Sequence, residues 1–357
     1  MKSNTVLRII DSGVLEGRRN IAMGQALIDA HVEGKAPDTL RFLRFPPTAL
    51  IGRHQDLGKE VNVDYCKSQG IGLARRITGG GAIYLDPGQL GWELVIHRSR
   101  LAAPDLGSIA AEICTAVAES LSTLGVAARY RPRNDIEVEG RKISGTGGFF
   151  EEDTLFFQGT VLVDLDPSKM VAALRVPRVK LEKHDLDSAA QRVVTLGALL
   201  GNDCPDLPTI QRALSQGLAA RFGLAAEAGE FHEEESKRAQ SLYEEEIGLD
   251  EFLDEINHPG ADQGTLEGEH TGPGGSVRSY VSLQGAGQQR FSSVLISGDF
   301  FVTPPRVVYD LEGALRGSAV ADLEPTIVGF FERTSVDMLS VSPADFVSSI
   351  RAALNTS

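Results

Sequence analysis

The chain has 357 residues, 42% of them hydrophobic, and a formal net charge of −14. This length favours two domains and supports at least one sizeable core. The negative charge argues against sequence-independent binding of nucleic acid, which depends on Lys and Arg that neutralise phosphates. No apolar run is long enough to span a membrane, and residues 1–13 lack a signal-peptide pattern, so we expect a soluble, cytoplasmic protein.

The cysteines and histidines indicate neither a disulfide framework nor a metal site. Cys66, Cys114 and Cys204 are an odd number at wide spacing and form no CxxC motif. The seven histidines, among them His54 and His184, show no HxxxH spacing. We therefore assign no metal to the histidines and expect the thiols to be reduced.

Strands and helices alternate along the first 225 residues. Alternating or β-branched segments predict strands, and segments with apolar residues at helical spacing predict amphipathic helices. The first strands are 5–11, 39–45, 49–53, 72–76, 82–86 and 92–97, and the first helices are 20–32 and 108–125. Strand candidates at 128–133, 134–145 and 154–166 precede a loop-rich stretch and a helix at 208–223. An α/β domain accounts for this pattern.

An acidic stretch, residues 231–270, separates this region from the C-terminal part. It contains 13 Asp and Glu against 2 Lys and Arg. Its first part has apolar residues at helical spacing, and its second part is typical of a flexible acidic loop, so a solvated helix followed by a linker is the simplest interpretation. We place the main domain at 1–225, an acidic helical or linker segment at 226–274, and a small α+β accessory domain at 275–357.

Three consecutive glycines follow two arginines in RRITGGGAIYLD, residues 75–86. Because glycine has no Cβ, backbone N–H groups there can approach a ligand closely, and the arginines add positive charge. A phosphate or carboxylate is the natural occupant of such a site. A glycine-rich hairpin turn with surface arginines is the alternative. The chain has no GxxxxGK[ST] pattern and no GxGxxG that opens a helix.

A second polar cluster lies in RPRNDIEVEGRKISGTGG, residues 131–148. A short hairpin would bring Asn134 and Asp135 close to Lys142, which small residues follow. A lysine placed in this way can bridge two reacting anions, and a neighbouring aspartate can hold a divalent cation against phosphate. For this segment taken alone, an ordinary charged hairpin is the alternative.

Together these segments resemble the lipoate-protein ligase A family of the biotin and lipoate ligase superfamily. The motifs occur in the family's order: IGRHQ (51–55), RRITGGGAIYLD (75–86), RNDIEVEGRKISGTG (133–147) and FFQGTVLVDLD (156–166). In the tail, ISGDFFVTPP and YDLEGALRG resemble the accessory domain that follows the catalytic domain in many such ligases, so the accessory region as a whole is 226–357. The implied fold class is α/β (α+β), with mixed sheets, flanking helices and a small α+β accessory domain.

The resemblance implies an adenylate-forming ligase. Such an enzyme activates lipoate or octanoate with ATP and Mg²⁺, and then transfers the acyl group to a lysine of a lipoyl-acceptor protein. It makes Lys142 the catalytic residue, in contact with the acyl carbonyl and the phosphate, and it makes Asp135 a candidate ligand of Mg²⁺. The residues that it assigns to ATP or the adenylate are Arg76, Gly79, Gly80, Gly81, Ala82, Ile83, Tyr84, Asn134, Asp135 and Lys142.

Other implications concern the acid and the acceptor. Arg53 and His54 are candidates for lipoate binding, although a structural role is at least as good an explanation for His54. Leu85 stands where many family members carry a histidine, which removes a proton acceptor from that place. The implied acceptors are acyltransferase subunits of 2-oxoacid dehydrogenases, the H protein of glycine cleavage, or a dedicated lipoate-binding protein. We expect a monomer that binds neither nucleic acid nor membrane.

Two other functions stay open. An octanoyltransferase of the same fold would carry its acyl group as a cysteine thioester, which needs an activated thiolate. None of the three cysteines falls close after Lys142. A non-catalytic module that binds lipoyl or acyl-carrier proteins would have no use for Lys142 beside an intact glycine loop.

Overall fold

The computed structural model describes residues 5–175, 192–261, 263–272, 274–339 and 341–355. His184 and part of the predicted loop-rich stretch lie outside these ranges. Among the helices of the described ranges, none is both long and apolar enough to cross a membrane.

An eight-stranded mixed sheet forms the centre of the larger domain. Its strands are β1 (Val6–Val14), β2 (Thr39–Arg44), β6 (Gln89–His97), β7 (Arg129–Arg131), β8 (Asp135–Val138), β9 (Arg141–Glu151), β10 (Thr154–Leu162) and β11 (Ala225–Ala228), in the order β11-β1-β2-β6-β10-β9-β8-β7. A separate sheet has the order β4-β3-β5 and consists of β3 (Thr48–Ile51), β4 (Gly72–Arg75) and β5 (Ile83–Leu85).

Nine α-helices of the described ranges belong to this part of the chain. They are α1 (Gly17–Val32), α2 (Leu57–Glu60), α3 (Val63–Ser68), α4 (Leu106–Ser122), α5 (Pro167–Ala173), α6 (Leu196–Leu200), α7 (Leu207–Arg221), α8 (Glu233–Leu242) and α9 (Asp250–Leu253). The first begins at Gly17, three residues before its apolar pattern predicts, because the side chain of Glu16 caps it by accepting the N–H of Arg19.

The two faces of the main sheet are covered by different helix pairs. Alternate residues of β6 point to opposite faces: Trp92 and Leu94 join the core formed with α4 and α7, whereas Val95 joins the core formed with α1 and α8. Both faces are therefore buried, which explains why every residue of β6 before its last is buried.

The C-terminal part is a smaller α+β unit. It contains the three-stranded sheet β12 (Leu266–Gly272), β13 (Gly275–Gln284) and β14 (Arg290–Gly298), the short pair β15 (Val302–Thr303) and β16 (Asp337–Met338), and the helices α10 (Val307–Leu315), α11 (Leu323–Arg333) and α12 (Pro343–Leu354). Phe291, Phe300 and Phe346 lie fully buried in its core. The expected α/β fold class with a small C-terminal unit is confirmed.

The acidic stretch is more ordered than its composition suggests. Its first part forms α8, whose Glu235 is buried in an ion pair with Arg8 of β1 at 2.6 Å. Its second part, which we expected to be a loop, contains β12, and Leu266 pairs with Val281 of β13. Gly268 lets α12 approach this strand, because a Cβ there would lie 2.1 Å from the backbone nitrogen of Ala353.

These contacts bear on the domain boundary. Strand β11 hydrogen-bonds to β1 in parallel, and α8 packs against α1, so residues 225–242 are part of the larger domain's structure. We propose that the accessory domain proper begins near residue 265, where β12 starts.

Candidate active site

A cavity of about 440 Å³ lies on the α1 side of the main sheet and extends to the β3–β5 sheet. The residues that line it fall into a polar and an apolar group. The polar group contains Asn134, Asp135 and Lys142, next to Gly145, Thr146 and Gly147. The apolar group contains Ile21, Leu43, Phe45 and Leu50. One cavity therefore combines a polar and an apolar lining, as a site for an acid with a hydrocarbon tail requires.

The predicted hairpin does bring the polar residues together. Strands β8 and β9 pair antiparallel, and Lys142 Nζ lies 2.7 Å from Asp135 Oδ1. Arg131 donates to the other carboxylate oxygen of Asp135 at 2.9 Å. Gly145 leaves room for the lysine, because a Cβ there would lie 2.6 Å from Nζ. The ammonium of Lys142 is thus held at the cavity wall by an anion that a substrate can replace.

Asn134 supports this arrangement through hydrogen bonds to the neighbouring strand β9. Its side-chain nitrogen donates to the carbonyl of Thr146 at 2.7 Å, and its own carbonyl accepts from the backbone N–H of Thr146 at 2.9 Å. These bonds fix the start of β8 against the glycine-rich part of β9, so the position of Asp135 is set by the backbone.

The glycine loop, residues 76–82, is a crossover and not a hairpin turn. It joins β4 to β5, but both strands pair with β3 and not with each other. Gly80 has a φ of +88°, which favours glycine. A Cβ on Gly52 would lie 2.0 Å from the carbonyl oxygen of Gly80, so the loop also packs tightly on the end of β3.

Arg76 holds the loop in shape from within. Its guanidinium donates to the carbonyls of Gly79 at 2.7 Å and Gly81 at 2.8 Å, and to Thr78 Oγ1 at 3.1 Å. Burial lowers the pKa of Arg76 to about 10. Arg76, which the sequence predicts to contact phosphate, therefore directs its donors at its own loop in this structure, and it also lines the cavity.

The accessory domain covers part of the loop. The N–H of Gly80 donates to the carbonyl of Phe300 at 3.0 Å, and a Cβ on Gly80 would lie 2.4 Å from the ring of Phe301. Gly79 and Gly80 do not line the cavity, whereas Gly81, Ala82, Ile83 and Tyr84 do. Burial raises the pKa of the Tyr84 hydroxyl to about 12.

Arg53 and His54 do not line the cavity. Arg53 forms an ion pair with Glu255, and His54 stacks on Phe300 with ring centroids 5.3 Å apart. Burial, together with the positive charges of Arg53 and Arg75, lowers the pKa of His54 to about 3, so the imidazole is neutral. Both residues instead join the first domain to the chain after residue 250.

The three cysteines lie outside the cavity lining, although Cys114 is directly behind the cavity residue Thr146. Cys114 Sγ, on α4, is 3.2 Å from Thr146 Oγ1, and burial raises its pKa to about 12. Cys66 is buried beside the carbonyl of Ala173, and burial also raises the pKa of its thiol. Cys204 is half-buried in a loop, and burial raises its pKa as well. All three belong to the described ranges, and none lines the cavity.

A divalent cation at this site would take most of its ligands from the phosphates of a bound nucleotide. Among the described residues, no group of three or more His, Cys, Asp or Glu side chains could hold a metal ion. Asp135 offers one carboxylate, and Mg²⁺ usually combines one or two carboxylates with substrate phosphates and water. The donor set therefore fits a cation that arrives with a phosphate chain and does not fit a permanent metal site.

The sequence patterns did not single out several residues that line the cavity, among them Glu93, Gln158, Asp299 and Phe301. Glu93 carries a detectable signal, because it is the one charged residue inside the apolar segment WELVI. Gln158 stands in FFQGT and donates to Thr78 Oγ1 at 2.7 Å. Asp299 and Phe301 come from the accessory domain, so only the tertiary fold brings them to the cavity.

Sequence comparison connects this site to a known family. A family model described as the lipoyl protein ligase A/B catalytic domain matches residues 16–219. The probable lipoate-protein ligase A of Mycoplasma pneumoniae is 28% identical over 51% of this chain, and the match spans about half, 53%, of that relative. The octanoyltransferase LipM of Kyrpidia tusciae is 28% identical over 66% of this chain and 94% of its own length. Similar relatives thus include both ligases and transferases.

Solved structures agree with the fold. A lipoate-protein ligase A bound with ATP has a TM-score of 0.63 and 26% identity, and covers 70% of this chain and 99% of its own. A bi-partite lipoate protein ligase of Thermoplasma acidophilum, described with its E2 lipoyl domain, has a TM-score of 0.61, 27% identity and coverages of 70% and 97%. LipL1 of P. falciparum in complex with lipoate covers 98% of this chain and 99% of its own with a TM-score of 0.73; at 16% identity it shows the fold alone.

Proposed function

The chain belongs to the lipoyl protein ligase A/B catalytic-domain family, and from that premise we propose that it is an ATP-dependent lipoate-protein ligase. It activates lipoate or octanoate as the acyl-adenylate and transfers the acyl group to a lysine of an acceptor protein. One observation supports this function over its rivals: the cavity presents the ammonium of Lys142 and no thiol.

The first step joins the acid to the nucleotide. A carboxylate oxygen of the acid attacks the α-phosphorus of ATP, and the bond from that phosphorus to the bridging oxygen of pyrophosphate breaks. Lys142 exchanges Asp135 for the two substrate anions and stabilises the negative charge that develops between them. Asp135 would hold Mg²⁺, which neutralises the phosphates, and the loop residues Gly81 to Tyr84 would hold the nucleotide.

The second step transfers the acyl group. The neutral amine of the acceptor lysine attacks the acyl carbonyl, the bond from that carbonyl carbon to the phosphate oxygen breaks, and AMP leaves while the proton lost by the amine passes to the departing phosphate or to water. The amide forms directly, so no residue of this chain needs to carry the acyl group. Lys142 again stabilises the oxygen on which negative charge develops.

The accessory domain has a part in this scheme. Gly79 and Gly80 are assigned to the nucleotide, yet the N–H of Gly80 is engaged by Phe300. For these residues to bind phosphate, the segment 298–301 must move from the loop. We propose that the accessory region moves between adenylation and transfer, so that the adenylate is shielded from water and then exposed to the acceptor.

The rival function is an acyl transfer through a cysteine thioester, and LipM-type relatives make it a serious one. A nucleophilic cysteine needs a lowered pKa and access to the acyl donor. Burial raises the pKa of all three thiols here, and Cys114 lies behind Thr146. These observations favour the ligase.

Exchange of label between pyrophosphate and ATP tests the proposal. We expect exchange that depends on lipoate or octanoate in the native chain, normal exchange in Cys114→Ala, and almost none in Lys142→Ala. A chain that exchanges no label with either acid, yet transfers octanoate from an acyl-carrier protein, would be a transferase. A chain that binds acceptor and does neither would be a binding module.

The proposed acceptors are lipoyl domains. A ligase of this family from Thermoplasma acidophilum is described with its E2 lipoyl domain, and we propose the same class of partner here, or an H protein or a dedicated lipoate-binding protein. Mass spectrometry of each purified acceptor after incubation with the enzyme, ATP and lipoate separates them. The three free thiols fit a reducing compartment, and we propose that the enzyme acts in the cytoplasm. We also propose that it acts as a monomer.

A further inference from the structure

Exposed arginines lie between the polar end of the cavity and the nearer edge of the main sheet. In the paired strands, Arg129 of β7 stands opposite Glu137 of β8, and Glu137 stands opposite Lys142 of β9. Residues directly opposite each other in antiparallel strands point to the same face of a sheet. Arg129 therefore shares the face on which Lys142 lines the cavity.

Two further arginines stand closer to Lys142. Arg131 Nη2 donates to Asp135 Oδ2 at 2.9 Å, while Lys142 Nζ lies 2.7 Å from Oδ1 of the same carboxylate. The carbonyl of Arg192 accepts the backbone N–H of Lys142 at 2.8 Å, and the next residue, Val193, lines the cavity. We call the four exposed arginines around this end of the cavity the basic rim: Arg129, Arg131, Arg133 and Arg192.

This face of the sheet becomes more open to solvent from Lys142 toward the edge. The exposed fraction of the side chain is 38% for Lys142, 51% for Arg131 and 70% for Arg129. The acids that pair with these arginines lie deeper, because Asp135 and Glu137 are only 15% and 16% exposed. The guanidinium groups therefore form the outer layer of charge, and the surface that a partner meets here is positive.

The sign of this charge is the feature that requires an explanation. The whole chain carries a net charge of −14, whereas residues 129–142 contain five Arg and Lys against three Asp and Glu. Strand β7 stands at the end of the strand order of the main sheet, and charged residues on an edge strand discourage aggregation. Charges of either sign can serve that purpose. Protection of the edge therefore does not explain a basic rim in an acidic protein.

An acceptor lysine that reaches Lys142 brings its neighbours close to this rim. Its side chain is a four-carbon stem, so the acceptor's own backbone stays near the site when the amine attacks. Strands are about 4.8 Å apart, so the backbones of Lys142 and Arg129 are separated by about 10 Å across the sheet. On the other side of the cavity, the accessory domain covers Gly80. The residues that flank the acceptor lysine therefore come within reach of the arginines.

We propose that the basic rim is the docking surface for an acceptor domain that carries Asp or Glu beside its acceptor lysine. This inference rests on the proposed function, because it assumes that Lys142 marks the place where the acyl group is transferred. Complementary charges raise the rate of encounter and select the partner, and salt screens them. The rim thus acts on the second step and leaves the first step unaffected.

The test separates the two steps. The variant Arg129→Glu with Arg133→Glu reverses two charges of the rim and leaves Arg131, which bonds Asp135, in place. Exchange of label between pyrophosphate and ATP measures adenylation. Transfer from preformed lipoyl-adenylate to a purified lipoyl domain, one with acidic residues beside its lysine, measures docking.

We expect the double variant to exchange label at the native rate and to lose about tenfold or more in kcat/KM for the lipoyl domain. Its transfer rate should also depend less on salt than that of the native chain. Unchanged transfer would overturn the proposal. An equal loss in exchange would overturn it too, because the arginines would then serve the phosphates of the nucleotide.

A charge-swapped acceptor separates docking from damage to the site. The same lipoyl domain, with its acidic flanking residues replaced by lysine, should be a poor acceptor for the native chain. The double variant should prefer this swapped domain to the original one, because the opposite charges then meet again. Absence of that preference would overturn the proposal, since damage to the chemistry lowers transfer to both domains alike.

Arg212→Glu with Arg351→Glu is the matched control. It makes the same change in net charge at exposed arginines of α7 and α12 that do not line the cavity. We expect it to transfer at the native rate, and a loss as large as that of the rim variant would overturn the proposal by showing that net charge alone matters.

A milder variant guards against misfolding. If the reversed variant is unstable, Arg129→Gln with Arg133→Gln removes the same two charges, and we expect a smaller loss of transfer in the same direction. No loss in that variant would overturn the proposal. Failure of the proposed function gives a different result, because the native chain then exchanges no label with lipoate or octanoate before any acceptor is added.

Discussion

The backbone N–H of Gly80 donates to the carbonyl oxygen of Phe300 at 3.0 Å, so the accessory domain binds the loop that we assign to the nucleotide. The ring of Phe301 also packs closely against Gly147 of β9, because a Cβ on Gly147 would lie 2.1 Å from the ring. If the loop binds the nucleotide as we propose, the nucleotide and the segment 298–301 compete for the same backbone groups.

Phe301→Ala should strengthen binding of ATP to the full chain. Removing the ring weakens the contact between the segment 298–301 and the glycine loop. Every 1.4 kcal/mol lost from the free energy of this contact should raise the apparent affinity for ATP about tenfold. Calorimetric titration with ATP measures the effect. Phe330→Ala, which removes a phenylalanine from the accessory core, is the control. Unchanged or weaker binding of ATP in Phe301→Ala would show that the segment does not compete with the nucleotide.

Lys142→Ala should fold normally and lose roughly two to three orders of magnitude in adenylation, the usual effect of removing one preorganised donor. The side chain is 38% exposed, so its loss should leave the thermal midpoint almost unchanged. Lys142→Arg should not restore activity, because a planar guanidinium does not replace a compact ammonium between two anions. Adenylation near the native rate in Lys142→Ala would refute the assignment.

Replacing Cys66, Cys114 and Cys204 by alanine, singly or together, should leave ligation largely intact, because no thiol lines the cavity. Mass spectrometry of the intact chain after incubation with an acyl donor provides a second measurement. An acyl adduct on any cysteine, or loss of nearly all activity in one variant, would favour the transferase.

The features that the sequence predicts correctly are those that depend on residues close together in the chain. The glycine loop and the β8–β9 hairpin are set by residues close in sequence, and the cavity contains Lys142, Asp135 and Asn134 as predicted. Their roles toward ATP and the acid stay predictions. The fold class was equally accessible, because apolar periodicity and turn residues report it directly.

Long-range partners explain what the sequence does not reveal. Arg53 and His54 stand in a motif that suggests ligand binding, but their contacts are Glu255 and Phe300, more than 200 residues away. The acidic composition of residues 231–270 suggested a solvated helix and a linker. The sequence does not reveal that an acidic residue there, Glu235, is paired with a buried arginine, Arg8 of β1. No local pattern reports such pairs.

Arg75→Met should destabilise the fold by about 3–5 kcal/mol, in the range for a broken buried polar network. Its guanidinium donates to the carbonyls of Gln55 at 2.7 Å and Leu253 at 2.8 Å, and so fastens α9, in the middle of the acidic stretch, to the segment after β3. Urea unfolding measures the change. Arg141→Met, at a partly exposed position on the hairpin, should stay within about 0.5 kcal/mol of the native chain. Equal stability of both variants would show that the acidic stretch is held by other contacts.

Glu312 should make the accessory domain less stable as the pH rises. Burial, aided by the negative charge of Glu255, raises the pKa of Glu312 from 4.5 to about 7, against the hydrogen bond that it accepts from the N–H of Ile296. The folded state therefore binds this proton more tightly than the unfolded state. The stabilisation is fully present below a pH of about 4.5 and is lost as the pH rises through about 7, and it amounts to at most about 3 kcal/mol.

Glu312→Gln tests this effect, because its amide oxygen still accepts the N–H of Ile296 but the side chain does not titrate. Urea unfolding at about pH 5 and about pH 8 gives the free energy of unfolding of both chains. We expect the native chain to lose more stability between the two pH values than the variant does, since every other titrating group is shared. Parallel pH profiles would mean that Glu312 titrates near its ordinary range and that the unit around α10 tolerates its charge.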